Sequence, residues 1–278
     1  MRALRRTLQR LFLILLLGAV AAVGWAYWTA VSPPVVRRAR VAAAGWPAAV
    51  PPLRLLLLSD IHVGGPDMPP ARVSRIVEQI NRLGPDIVLI AGDFVTDKRL
   101  ATRHYSHDEA VAPLAALRPR LGTVAVMGNH DHWRDSAAAH RALARAGIRV
   151  LDNQAVQMGP LAVGGLDDDF TGRANLAATL VALRKLEGPK LLLSHSPDPF
   201  AQPAPDVFLM LAGHTHCGQV ALPLIGPLST MSKYGRRYAC GVVRERGRTL
   251  IVTAGLGTSG IPLRLGAVPD MWLVEIGP

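Results

Sequence analysis

Val207-Phe208-Leu209-Met210-Leu211-Ala212 runs directly into Gly213-His214-Thr215-His216. An apolar run followed at once by two imidazoles one residue apart reads as a buried strand handing ligands to an ion at its end. Alone, a His-x-His on a loop is equally what two solvated side chains look like. It gains meaning because the same arrangement, an apolar strand ending in a polar ligand, appears four more times.

Upstream, Leu53 to Leu58 is a short apolar strand followed by Ser59-Asp60-Ile61-His62 and a turn at Gly64-Gly65-Pro66. Val73, Ile76, Val77, Ile80 and Leu83 then fall at helical spacing, which predicts an amphipathic helix from Pro70 to Leu83, stopped by Gly84-Pro85. Asp86 to Ala91 is a second continuous apolar strand, ending in Gly92-Asp93. The three make a βαβ unit whose strands are expected to be parallel and covered on both faces. The pattern repeats with a helix over 108–117, a strand over 123–127 ending in Gly128-Asn129-His130-Asp131, and a helix over 136–146. Strands near 148–151 and 161–163, a helix over 174–186 and a strand over 190–193 ending in Ser194-His195 follow. Beyond Gln219, short runs at 236–244, 249–253 and 271–276 read as antiparallel strands completing a sheet. The expected fold class is α/β, with central mixed β-sheets sandwiched by helices.

Five strands therefore end in Asp60-x-His62, Gly92-Asp93, Gly128-Asn129-His130, His195 and His214-x-His216. In an open α/β sheet ligands bind at the carboxyl ends of strands, so these groups are expected to converge on one crevice. Asp, Asn and His form a mixed oxygen and nitrogen donor set suited to Mn, Fe or Zn. They are too many for one tetrahedral ion and enough for two.

The order and form of these segments resemble the calcineurin-like metallophosphoesterase superfamily, whose motifs run D-x-H, G-D, G-N-H-D/E, H and G-H-x-H; all are present, in order, from Asp60 to His216. The resemblance implies a metallophosphoesterase-type α/β sandwich with two divalent metal ions as cofactors. It implies that Asp60, His62 and His216 hold one ion, that Asn129, His195 and His214 hold the other, and that Asp93 bridges them. His130 is then the catalytic residue off the metals, a transition-state donor or leaving-group acid, with Asp131 orienting it. The tail resembles the membrane-associated bacterial phosphodiesterase branch through His214-Thr215-His216-Cys217-Gly218-Gln219, Lys233-Tyr234-Gly235 and Gly255-Leu256-Gly257. In that branch glycine often stands at the place of Cys217. The same resemblance makes Lys233, Tyr234 and Arg264 candidates for meeting a substrate phosphate or headgroup.

The implied chemistry is hydrolysis of a phosphodiester or pyrophosphate, with a hydroxide bridging the two ions attacking in line. Electrostatics agree, since two divalent ions bring more positive charge than Asp60 and Asp93 return, which favours phosphate. Neither a Gly-x-Ser-x-Gly elbow nor a Walker-type loop offers another route. Asp167-Asp168-Asp169 reads either as a lining of the substrate crevice or as a solvated acidic turn, and His104, His107, His132 and His140 read as surface residues.

Residues 1–10 carry Arg2, Arg5, Arg6 and Arg10 and no acid, and residues 11–31 carry no charge at all. A helix of that length rises about 30 Å, enough to span a bilayer, and Trp25, Tyr27 and Trp28 are placed as an interfacial aromatic belt. This predicts a transmembrane helix over 11–31 in the inner membrane of a bacterium, with the N-terminus inside and the catalytic domain extracytoplasmic. Ala19-Val20-Ala21 keeps a cleaved export signal open as the alternative, and Arg5-Arg6-Thr7-Leu8 partly resembles a twin-arginine signal. Residues 32–52, rich in Pro and Ala, read as a linker, which leaves 53–278 as the metallophosphoesterase domain.

An anchor this close makes the membrane an expected partner and a lipid-linked or envelope phosphate compound the expected substrate. A UDP-diacylglucosamine-type pyrophosphatase of lipid A synthesis is the alternative within the same chemistry, although its substrate is made in the cytoplasm and requires the opposite orientation. A non-catalytic metal-binding membrane scaffold is the alternative of another class, against which the complete ligand set speaks.

Half of the 278 residues are hydrophobic, enough to bury a large core and to exclude disorder on a large scale. The net charge of +11 points to an anionic partner. The basic residues are almost all Arg, dispersed without a Lys/Arg block or interleaved aromatics, so no nucleic acid is expected. Two cysteines, Cys217 and Cys240, are too few for a disulfide framework or a four-thiolate zinc site. Cys217 reads as an inert buried thiol beside the His-x-His.

Overall fold

Within the apolar runs, alternate side chains point to opposite faces, and both faces are covered. In Leu53–Leu58, for example, Leu53, Leu55 and Leu57 join one core while Leu56 and Leu58 join another. Strands of this kind need material above and below, and the result is two sheets packed on each other with helices outside both.

The computed structural model describes residues 2–98, 100–222 and 224–278. In chain order its strands are β1 (Val35–Ala42), β2 (Leu53–Leu58), β3 (Ile87–Ala91), β4 (Thr123–Val126), β5 (Arg149–Val150), β6 (Gln154–Met158), β7 (Leu161–Gly165), β8 (Lys190–Leu193), β9 (Val207–Ala212), β10 (Ala221–Leu222), β11 (Gly226–Pro227), β12 (Gly241–Glu245), β13 (Arg248–Val252) and β14 (Asp270–Gly277). Its α-helices are α1 (Arg2–Val31), α2 (Pro70–Leu83), α3 (His107–Val111), α4 (Asn129–Arg145) and α5 (Leu176–Arg184). One six-stranded sheet has the order β1-β14-β2-β3-β4-β5 and the other β12-β13-β9-β8-β7-β6.

Leu55, Leu57, Leu89 and Val126 from the first sheet meet Val163, Leu191, Leu209 and Leu211 from the second. Val73, Ile76, Val77 and Ile80 of α2, with Leu143 of α4, close the outer face of the first sheet. Leu180 and Leu183 of α5, with Phe200 and Tyr238, close that of the second. The expected mixed sheets flanked by helices are thus present, and α2 spans the residues its periodicity predicts, ending at Gly84 in the left-handed region (φ 59°).

Four features differ from expectation. The stretch read as a linker contains β1, which pairs in parallel with β14 along its whole length. It is an edge strand, and its Arg37, Arg38 and Arg40 are the charges such strands carry to discourage further pairing; between Pro33-Pro34 and Pro51-Pro52 they disguise its β character. Helix α4 begins at Asn129 rather than near 136, with a break in helical geometry at Asp135 (φ −173°), so two short helical pieces share one axis region. The tail does not complete a single sheet. β12 and β13 form an antiparallel pair added in parallel to β9, whereas β14 crosses to the first sheet and lies antiparallel to β2. Finally, β6, which carries no continuous apolar run, forms the edge of the second sheet beside β7.

Candidate metal centre

Both sheets contribute to the crevice from the carboxyl ends of their inner strands. β2 leads to Asp60 and His62, β3 to Asp93, β8 to His195, and β9 to His214 and His216, while β4 runs into the first turn of α4 with Asn129, His130 and Asp131. The loops continue to hydrogen-bond after the strands end: Asp60 N–H donates to Gly92 O at 3.0 Å, His62 N–H to Asp93 O at 3.0 Å, and Gly213 N–H to His195 O at 2.9 Å. Leu256 and Gly257, after β13, donate back to Ser59 O and Asp60 O, at 3.1 and 2.7 Å.

Five of the seven expected ligands adopt positive φ: Asp60 (49°), His62 (47°), Asp93 (60°), His214 (69°) and His216 (50°). Non-glycine residues seldom occupy this region, and such strain collects where surrounding structure holds a functional geometry. The left-handed step turns each side chain off its strand and into the crevice. Gly128 and Gly213 are required for space, because a Cβ on the first would strike the Asp93 carboxylate and one on the second Ser59 and Asp60.

All seven side chains are buried and come together. His216 Nε2 lies 3.2 Å from His62 Nε2 and 3.4 Å from Asp60 Oδ1. On the other side, His195 Nε2 lies 3.0 Å from both Asn129 Oδ1 and His214 Nδ1. The Asp93 carboxylate stands between, its Oδ2 being 3.4 Å from His62 Nε2 and 3.3 Å from His195 Nε2. Asp60 Oδ1 is buried without a hydrogen-bond partner. Unpaired buried polar atoms are costly, and imidazole nitrogens facing one another across 3 Å offer lone pairs to a shared centre. Groups of Asp60, His62 and His216, and of Asp60, Asp93 and His195, each bring their donor atoms within 4.8 Å of one another, as a metal ion requires. The residues present fit divalent cations.

Burial is the largest single influence on the titration of these groups, though not always the one that prevails. It pushes the Asp60 carboxyl up to about 6 and the His214 imidazole down to about 3, the latter helped by the charge of His195. For Asp93, burial acts upward, but the surrounding imidazoles of His195, His130 and His62 outweigh it and hold the carboxyl well below its ordinary range.

His130 sits at the mouth, and its Nδ1 bonds Asp97 Oδ1 at 2.7 Å. Burial pulls its pKa down, yet the Asp93 and Asp97 carboxylates prevail and raise it above the ordinary histidine value. Asp97, not Asp131, therefore orients His130. The Asp131 carboxylate is taken up by backbone donors, accepting from Asp93 N, Phe94 N and Gly128 N at 2.8, 2.9 and 3.0 Å. At the third position of α4 its side chain naturally reaches back over the helix start, where it clamps the loop after β3 to the loop after β4. A carboxylate four residues beyond Asp93 was the available signal for Asp97.

Other expectations divide. Arg264 is fully buried, its guanidinium bonded to the carbonyls of Ala254 and Gly257 and 3.3 Å from His216 Nδ1, so its donors are taken up inside the protein. Lys233 is exposed and reaches Asp169 at 3.2 Å. Asp167 bonds His132 at 2.7 Å, and Asp168 is buried, accepting from the backbone of Phe170 and Thr171, so the three acids are not a solvated turn. His107 is buried as well, contrary to a surface assignment. Trp133 and Phe170, both exposed, pack on His130 edge-on and on His214 at a tilt, at 4.9 and 4.8 Å, and wall the mouth; nothing in their spacing announced this.

Cys217 and Cys240 form a disulfide, so Cys217 is not a free thiol. Cysteine number excludes a framework but says nothing about one returning loop. Closing a loop with a sequence separation of 23 is worth about 3 kcal/mol on the chain-entropy account. The Cys217→Ser/Cys240→Ser variant is expected to unfold at correspondingly lower denaturant concentration, and reductant should shift the wild-type midpoint but not that of the variant.

A family model described as calcineurin-like phosphoesterase matches residues 53–218. The chain is 32% identical over 273 residues to the transmembrane protein with metallophosphoesterase domain of Danio rerio, covering 92% of this chain and 60% of that protein. It is 31% identical over 259 residues to the Bos taurus protein of the same description, covering 86% of this chain and 56% of that protein. It is likewise 31% identical over 243 residues to phosphodiesterase YaeI of Escherichia coli, covering 81% of this chain and 82% of that protein. The chain thus spans less than two thirds of the length of the two animal relatives.

Proposed function

This chain belongs to the calcineurin-like phosphoesterase family, and on that footing we propose that it is a two-metal phosphoesterase hydrolysing phosphodiester or pyrophosphate bonds in a lipid-linked or envelope substrate. The observation that carries the reading is the convergence of seven buried donor residues on one crevice with Asp60 Oδ1 left unpartnered. Asp60, His62 and His216 would hold one ion, Asn129, His195 and His214 the other, and Asp93 would serve both. The contacts of His216 with His62 and of His214 with His195 support dividing this histidine pair between two ions.

Divalent ions such as Mn, Fe or Zn, when bound, supply Lewis acidity toward phosphoryl oxygens and toward the attacking water. The chain supplies the rest. His130 carries a proton at the mouth, where its raised pKa and the Asp97 bond at Nδ1 leave Nε2 to donate toward a leaving oxygen. Asp131 fixes the two loops that present Asp93 and Asn129. Trp133 and Phe170 shield the mouth from water on one side.

Leu4–Val31 is long and apolar enough to cross a membrane, which supports an anchored enzyme. The disulfide supports an extracytoplasmic domain, since such bonds persist in oxidising compartments. Protease treatment of intact spheroplasts tests that placement; a protected domain would sink it.

Full-length protein with added manganese is expected to hydrolyse bis(p-nitrophenyl) phosphate, and chelation to abolish turnover until manganese is restored. If metal-loaded protein hydrolysed neither this diester nor simple monoesters and pyrophosphates, the reading would give way to a metal-binding scaffold.

A further inference from the structure

The end of α1 is fastened to the folded domain. Ala26, Thr29 and Ala30 are buried, whereas the apolar side chains before them, such as Leu17, Val20 and Val23, are exposed. Arg72, itself buried, donates to Ala30 O at 2.9 Å and to Ser32 O at 2.8 Å, and Arg264 N–H donates to Ala26 O at 2.9 Å. The exposed Trp25 and Trp28 mark the same height along the helix, and such rings settle at the boundary between acyl chains and water.

That boundary passes beside a second apolar feature. Leu265, next to Arg264, exchanges backbone hydrogen bonds with Gln219 and Ala221, at 2.9 and 2.7 Å, which roots the β10–β11 hairpin one residue from the contact with α1. Leu224 at the tip is fully exposed (108%), Ile225 and Leu228 are more than half exposed, and Met231, Ile261 and Val268 are exposed around them. Soluble surfaces scatter such side chains singly; a contiguous group marks a contact. Between Cys217 and Cys240 the segment holds no acid; Lys233 and Arg237 pair with Asp169 and Glu245, whereas Arg236 bonds Ile225 O beside the tip and has no carboxylate partner among the described residues, which suits the negative surface of a bilayer.

We infer that the 218–239 loop is a second membrane contact, its hairpin tip dipping into the leaflet that α1 enters, with anionic lipid as its partner. The occupant is lipid because the patch continues the apolar surface of α1 at the height of the tryptophans and has the Arg236 guanidinium beside its tip. The disulfide closes the loop immediately after His216, so the loop that carries the contact is rooted one residue from the crevice. Together the two contacts hold the crevice mouth at headgroup level and favour phosphoesters that reside in the bilayer; this last step rests on the phosphoesterase reading, whereas the contact itself does not.

Photocrosslinking tests it without requiring catalysis. In full-length protein reconstituted in nanodiscs containing phosphatidylglycerol, p-benzoylphenylalanine replacing Leu224 should give lipid adducts, detected by mass spectrometry, about tenfold above those from the same replacement of the exposed Val181 on α5. Replacement of Leu228 serves if the first variant fails to fold. Adducts no more abundant than at Val181, or crosslinks to a second copy of the chain or to another protein, overturn the inference. Absence of hydrolysis in the manganese assay would leave the adducts unchanged, so the two readings fail separately.

Discussion

Asp93→Asn is expected to reduce diester hydrolysis on the order of a thousandfold and to lower the bound metal toward zero, while circular dichroism stays that of the wild type. Losing a hydrogen-bonding partner of a metal ligand already lowers affinity or activity ten- to hundredfold, and Asp93 stands closer in than that. Its carboxylate lies within 3.4 Å of His62 and 3.3 Å of His195, and its Oδ1 accepts from His130 N at 2.9 Å. Asparagine keeps the shape but removes a charge from between two groups of imidazoles, so on the proposed two-ion reading both sites are expected to lose affinity together. His216→Ala, read in the same metal analysis, should remove mainly one equivalent. Activity within tenfold of wild type for Asp93→Asn, with two equivalents retained, would overturn the bridging role.

His130→Ala should lower kcat between about a hundred- and ten-thousandfold, the usual range for a lost general acid, with both metal equivalents retained. The loss should be larger for an alkyl leaving group, which needs a proton, than for p-nitrophenolate, which does not. Asp97→Asn should reproduce part of the effect, because the 2.7 Å bond to Nδ1 orients the ring and stabilises its charge. Adding Asp97→Asn to His130→Ala should cost little more, as expected for residues acting as a unit. Equal losses for both leaving groups would assign His130 to binding instead of proton transfer.

The parts of the fold legible in sequence are those where burial on two faces forces an unbroken apolar run. β2, β3, β8 and β9 are of this kind, and the ligand that follows each is found where the run stops. β1 was hidden because an edge strand is half solvated and carries arginines, a composition shared with linkers. The first turn of α4 was hidden because its polar residues serve the crevice and suppress helical periodicity until Ser136. Asp131 bonds the backbone of Asp93, Phe94 and Gly128 although it adjoins His130 in sequence, because neighbours one apart on a helix point about 100° apart. Asp97 and the Cys217–Cys240 pairing depend on where loops return, which no local pattern encodes.

The place of β14 has a consequence for biosynthesis. It lies between β1 and β2, so the first sheet stays divided until the latest of the described strands has been made. Roughly 240 residues separate Val31 from Asp270, and at ribosomal speed they take on the order of tens of seconds to polymerise. Throughout that interval α1 has already been made while the first sheet still lacks the strand that joins β1 to β2. For the anchored, extracytoplasmic placement proposed above, delivery to the membrane would then run ahead of folding, and the chain would be threaded across before acquiring a structure too wide to pass.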